Sequence, residues 1–172
     1  MVNYTDLKLV ANNSKRLINI NGVEVEVLEY LPIEDKYSLV MITLQQCKEN
    51  GVYNTIKKEI FFNLNLIYMY TNLNFTEEEK ENPLKLYDML ESNDVFNTVI
   101  EYMNEKEYEN LLYWMEEVQT KMTQYDNSFT GVVNNLLTSF PENAKIAADI
   151  VDNFDPEKFE NVVNFAKGIG MR

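Results

Sequence analysis

Between Ile56 and Phe75 the chain reads Ile-Lys-Lys-Glu-Ile-Phe-Phe-Asn-Leu-Asn-Leu-Ile-Tyr-Met-Tyr-Thr-Asn-Leu-Asn-Phe. A one-sided surface helix carries a single apolar stripe. Here apolar or aromatic residues occupy nearly the whole circumference, so the stretch predicts a central helix over 55–72 wrapped by other elements, with Asn54 as its cap. Asn63 and Asn65 interrupt it and its charges sit at one end, and the uninterrupted apolar run is too short for a membrane span. Phe61, Phe62, Tyr68 and Tyr70 are expected to serve the core and not to form a ligand box.

Such a helix needs enough chain around it. The 172 residues, 45% of them hydrophobic, suffice for one core. With only 5 glycines and 4 prolines, the chain lacks the turn residues of an all-β fold. The expected class is mainly α, a helical bundle with an N-terminal β-hairpin, forming a single domain over 1–172 with a C-terminal helical pair at 142–168.

The hairpin is the sharpest local signal. Asn21-Gly22 lies between Arg16-Leu17-Ile18-Asn19-Ile20 and Val23-Glu24-Val25-Glu26-Val27-Leu28, and a type I′ turn needs positive φ at both central residues. A two-residue loop pairs Ile20 with Val23 and Ile18 with Val25, which puts Ile18, Ile20, Val23, Val25 and Val27 on one face within 16–31. Asn19, Glu24 and Glu26 fall on the other, and Leu17 is the exception. An isolated hairpin is marginal in water, so the apolar face requires a partner, and its open edges suit strand addition. Residues 1–14 read as a loose arm or a short strand.

Pro32 opens the next helix, with Ile33, Tyr37, Val40, Leu44 and Cys47 as its inward face and Gly51 as its C-cap. Thr76 and Glu79 form a capping box, and the acidic run Glu77-Glu78-Glu79 reads as a solvated first turn, because adjacent glutamates on a helix diverge. Helices follow from Pro83, with Leu86, Met89 and Leu90 inward, and from Asn93 or Asp94, with Val95, Phe96, Val99, Ile100 and Met103. Asn104 and Glu107 repeat the cap-plus-acid pattern before a long helix bearing Tyr108, Leu111, Leu112, Met115, Val118, Met122 and Tyr125. Trp114 lies off that stripe and either closes the core edge or marks an interface. A break or continuity is open near 126–131, and 126–143 is the hinge candidate. Asp155-Pro156 starts the last helix, whose few lysines do not suit DNA reading.

The chemistry of the chain is defined by what it lacks. No histidine is present, and the single cysteine, Cys47, reads as a small core residue in a reducing compartment. This removes Ser-His and Cys-His catalysis and the usual zinc sets. The scattered glycines build no phosphate loop. Carboxylate pairs such as Glu105/Glu109 and Asp152/Asp155 fall on exposed faces or caps. No enzyme activity, cofactor or metal is expected. A net charge of -13 disfavours phosphate-backbone binding and suits solubility or a basic partner. The first residues lack the pattern of a secretion signal.

The runs Asn21-Gly22-Val23-Glu24-Val25, Tyr30-Leu31-Pro32-Ile33-Glu34-Asp35-Lys36, Ile67-Tyr68-Met69-Tyr70-Thr71-Asn72-Leu73-Asn74-Phe75-Thr76 and Leu86-Tyr87-Asp88 resemble small proteins of tailed phages and prophages of low-GC Gram-positive bacteria. The resemblance spans roughly 20–120 and its motifs are structural. It implies a virion component or an assembly factor, for instance a tail-assembly chaperone-like protein, in the host cytoplasm or virion. It transfers no functional residue to this chain. The expected function is therefore non-enzymatic protein–protein contact with other phage proteins or with further copies. The interface candidates are Val23, Val25, Val27, Glu24, Glu26 and Trp114. The alternative is an acidic inhibitor of host defence that imitates nucleic acid and binds a basic host protein.

Overall fold

The structure, a computed structural model, describes residues 2–128, 130 and 131. The chain divides into two compact units, Met1–Thr120 and Lys121–Arg172, and the first holds the hairpin and its supporting helices. The expected helical pair at 142–168, the phase carried on to Phe140 and the pair Asp152/Asp155 lie outside the described residues.

The fold is mainly helical with an N-terminal antiparallel hairpin, as the sequence predicts. A short 3-10 turn at Tyr4–Leu7 precedes β1 (Lys15–Ile20) and β2 (Val23–Leu28). Their register is Ile20↔Val23, Ile18↔Val25 and Arg16↔Val27. Asn21 and Gly22 take φ of 51° and 86°, the two left-handed positions that a type I′ turn demands.

After the hairpin comes α1 (Ile33–Cys47), then β3 (Lys48–Glu49) and β4 (Val52–Tyr53), then α2 (Thr55–Tyr70). Gly51 does not cap α1. It is the second residue of another Asn-Gly turn, with φ of 50° at Asn50 and 80° at Gly51, joining β3 to β4. The helix ends at Cys47 because the chain there enters this two-residue ladder, whose tight turn uses the glycine.

The Asn54 side chain accepts a hydrogen bond from the Lys57 N–H, as a cap should. Along α2, Phe62, Leu64, Leu66, Ile67 and Tyr70 are buried and Asn65 lies among them. Five apolar side chains within nine positions cover more than one face of a helix, which is why α2 needs neighbours on several sides. It packs against α1, α4 (Pro83–Ser92) and α5 (Val95–Tyr102). The Phe62 ring lies 6.1 Å from that of Tyr108 on α6 (Glu105–Asp126). Phe62 and Tyr70 serve the core as expected, whereas Phe61 and Tyr68 are only half-buried.

Thr76 and Glu79 close a capping box on α3 (Glu77–Lys80). In α5, Val95, Phe96 and Val99 are buried as the spacing predicts, and Met103 just beyond it is too. Other faces turn out differently. Ile33 and Tyr37 are more than 60% exposed, and the inward face of α1 is Lys36, Leu39, Val40, Thr43, Leu44 and Cys47. Met89, Leu112 and Tyr125 are exposed as well. In α1 the reason is electrostatic: a buried lysine rotates the helix away from its most apolar phase, as the next section describes.

Candidate functional site

The chemistry-bearing residues gather at one interior point. Asn104 caps α6 by accepting from the Glu107 N–H at 3.3 Å, but the Glu107 side chain does not turn back to the cap. It points inward and is 6% exposed. Lys36 Nζ donates to its Oε2 at 2.7 Å. The Leu31 N–H and the Tyr70 hydroxyl both donate to its Oε1 at 2.9 Å. The Lys36 ammonium also lies 3.7 Å from the centroid of the Tyr30 ring. Four segments, far apart in sequence, thus meet on one carboxylate.

Every polar atom in this cluster has a partner, and among the described residues no buried side-chain nitrogen or oxygen lacks one. Isolated burial of either charge would be prohibitive, whereas a paired and hydrogen-bonded carboxylate is tolerated. Burial pushes the Tyr70 hydroxyl far above its usual range, and the neighbouring Glu107 carboxylate adds to the shift. The cluster is saturated and built for structure: it ties the start of α1, the end of α2 and the start of α6 together.

A second polar group lies between α1 and α2. Asn65 Nδ2 donates to Thr43 Oγ1 at 3.0 Å and to Gln46 Oε1 at 2.9 Å. Beside it opens a cleft of about 410 Å³, whose walls include Phe61, Tyr68, Leu73 and Phe75. The Tyr68 and Phe75 rings meet edge to face at 5.2 Å. Burial and the Glu79 carboxylate raise the Tyr68 hydroxyl above its ordinary range.

The hairpin candidates separate into two groups. Val25 and Val27 are 1% and 0% exposed, so their side chains are consumed by the chain's own core and offer no docking surface. Val23 remains 61% exposed. Glu24 is exposed, and Glu26 pairs with Lys15 at 2.6 Å. Trp114 is half-buried on α6.

One hairpin edge is also covered. Val27 bridges Thr71, the Asn72 N–H donates to the Glu26 carbonyl at 3.3 Å, and the Glu26 N–H donates to Asn72 Oδ1 at 2.9 Å. This short return of the chain after α2 occupies the outer side of β2. On β1 the backbone groups of Arg16, Ile18 and Ile20 face β2, so those of Lys15, Leu17 and Asn19 point outward. That edge is open among the described residues.

Directly upstream of it lies an apolar surface that pattern reading missed. Val2, Tyr4, Leu7, Leu9 and Val10 are 56–89% exposed, and Leu17 on β1 is 64% exposed. Scattered single apolar residues on a surface are ordinary, but a run of them is not. The signal was present in the spacing of those residues, which follows neither a helical nor a strand period.

Cys47 is fully buried, and desolvation raises its thiol above the ordinary range, so it is a core residue and no nucleophile. The pair Glu105/Glu109 is exposed on α6. No group of three metal-ligating side chains occurs among the described residues, and none of their helices is long and apolar enough to cross a membrane. Compared with known proteins, the chain matches no family model, no curated protein and no solved structure.

Proposed function

We propose that this chain is a non-enzymatic structural or assembly protein of a tailed phage, acting in the host cytoplasm or virion through protein–protein contacts. The observation that carries the reading is the exposed apolar run Val2–Val10 leading into an open strand edge on β1. An edge strand offers main-chain hydrogen bonds to any extended partner, and adjacent apolar residues add burial and selectivity. The sealed state of the one convergent charge cluster agrees with a role in contact and not in turnover.

Mass spectrometry of purified particles, beside a pull-down from host lysate, tests this reading. It expects the chain in particles or bound to another morphogenesis protein. Recovery of free monomer alone from infected cells contradicts it. The charge of -13 favours a second reading, an acidic inhibitor of a basic host protein. That reading expects capture of a nucleic-acid-binding host protein, lost as salt screens the contact.

A further inference from the structure

We infer that the exposed N-terminal segment of one copy docks into the Phe61–Tyr68–Phe75 cleft of a second copy. The inference rests on the protein-contact reading and names the partner: the chain itself. Three features of the cleft fit an extended peptide. Its floor is apolar, with Leu64 buried and Phe61, Tyr68, Leu73 and Phe75 half-buried. Its wall carries the amides of Gln46, Asn65 and Asn74, groups that both donate and accept and so can pair with main-chain N–H and C=O. Its volume of about 410 Å³ falls in the range of real binding sites and admits a few side chains, not a folded domain.

The charge of the two surfaces is complementary. Residues 2–16 carry Lys8, Lys15 and Arg16 against Asp6, a net of +2 in a chain of net -13. Lys15 and Arg16 are engaged with Glu26 and Glu29, which leaves exposed Lys8 between Leu7 and Leu9. The rim of the cleft carries Glu77, Glu78, Glu79 and Glu81 against Lys80, a net of -3. Lys80 pairs with Glu77 and Glu79 is held in the capping box, so Glu78 and Glu81 remain to meet Lys8. Leu7, Leu9 and Val10 would then leave water for the aromatic floor. An arm-in-cleft contact uses two different patches, so it builds rings or open chains unless two copies exchange arms reciprocally.

Analytical ultracentrifugation tests this on the full chain, on a variant lacking residues 2–13, and on E78K/E81K with and without K8E. The full chain is expected to associate with rising concentration. Deletion of the arm leaves a monomer with an unchanged melt. E78K/E81K weakens association several-fold, and adding K8E restores it. A full chain that stays monomeric at every concentration overturns the inference, as does association that survives arm deletion. Disulfide trapping of L9C with N74C, in a mixture of a tagged and an untagged chain, settles the geometry. Cross-links between chains of different mass support the inference, and cross-links confined within single chains overturn it. A monomer that still co-purifies with particles would sink this inference and leave the assembly reading standing.

Discussion

The Glu107 cluster and the N-terminal segment invert the usual rule in opposite directions. One buries charge; the other exposes hydrocarbon. Inside, Lys36 and Glu107 are each about 94% buried, yet three donors satisfy the carboxylate and the lysine also rests on an aromatic ring. Outside, five large apolar side chains between Val2 and Val10 are exposed without cover among the described residues. The contrast separates two kinds of anomaly. A buried polar group with all its bonds made is complete within the chain. An exposed apolar run is incomplete, and that incompleteness locates the contact surface.

Substitutions can break or sharpen this contrast, and the largest effect belongs to the core helix. Ile67 is fully buried in α2, so I67D places an unpaired charge in the interior and is expected to abolish the cooperative thermal melt. A retained melt would mean that α2 is peripheral. Next comes the cluster itself. E107A strands the Lys36 ammonium and is expected to destabilise by about 3–5 kcal/mol in urea unfolding. The joint replacement K36M/E107L removes both charges and should recover most of that loss. If E107A costs under about 1 kcal/mol, the cluster behaves like a surface pair and the contrast fails.

Tyr70 gives a smaller effect with a sign in pH. Its raised ionisation means that the folded chain holds this proton after the unfolded chain has released it. Stability is therefore full below the ordinary tyrosine value near 10 and falls as pH rises above it, by up to about 1.4 kcal/mol per unit for one such group. Y70F should cost about 1–3 kcal/mol at neutral pH by removing a donor to Glu107, and should flatten that alkaline slope. Some slope should remain, because burial also raises the Tyr68, Tyr87 and Tyr108 hydroxyls. An unchanged alkaline profile in Y70F would remove Tyr70 from the account.

The two Asn-Gly turns come next. Neither Gly22 nor Gly51 has an atom within 4 Å of an added Cβ, so alanine there meets only the strain of positive φ. G22A and G51A should each cost about 1–2 kcal/mol. The smallest change in stability is expected outside: L7S/L9S should alter the urea midpoint by less than about 0.5 kcal/mol in equivalent free energy while weakening self-association. A large loss of stability would show that the segment belongs to the core after all.

The local grammar of the chain was legible. Asn21-Gly22 defined a hairpin with the observed register, Asn54 and Thr76 capped their helices, and the all-round apolar stretch of α2 predicted a wrapped helix. Asn50-Gly51 carried the same turn signal, but the helical phase that ran through Cys47 gave Gly51 a plausible reading as a cap. Both readings satisfy a glycine at positive φ, and only pairing of Lys48 with Tyr53 distinguishes them.

What the sequence alone determined, then, is where helices and turns occur, because caps, glycine φ and apolar periodicity act over a few residues. Tertiary structure decided which face of each element is inside. Hydrophobic periodicity assigns Lys36 and Glu107 to solvent, since burying either by itself is prohibitive. They become interior residues only because the fold brings together groups 71 positions apart, with Leu31 and Tyr70 supplying the remaining bonds. The same global arrangement covers Val25 and Val27 and leaves Leu7, Leu9 and Leu17 in water, so the location of the contact surface is a property of the assembled fold.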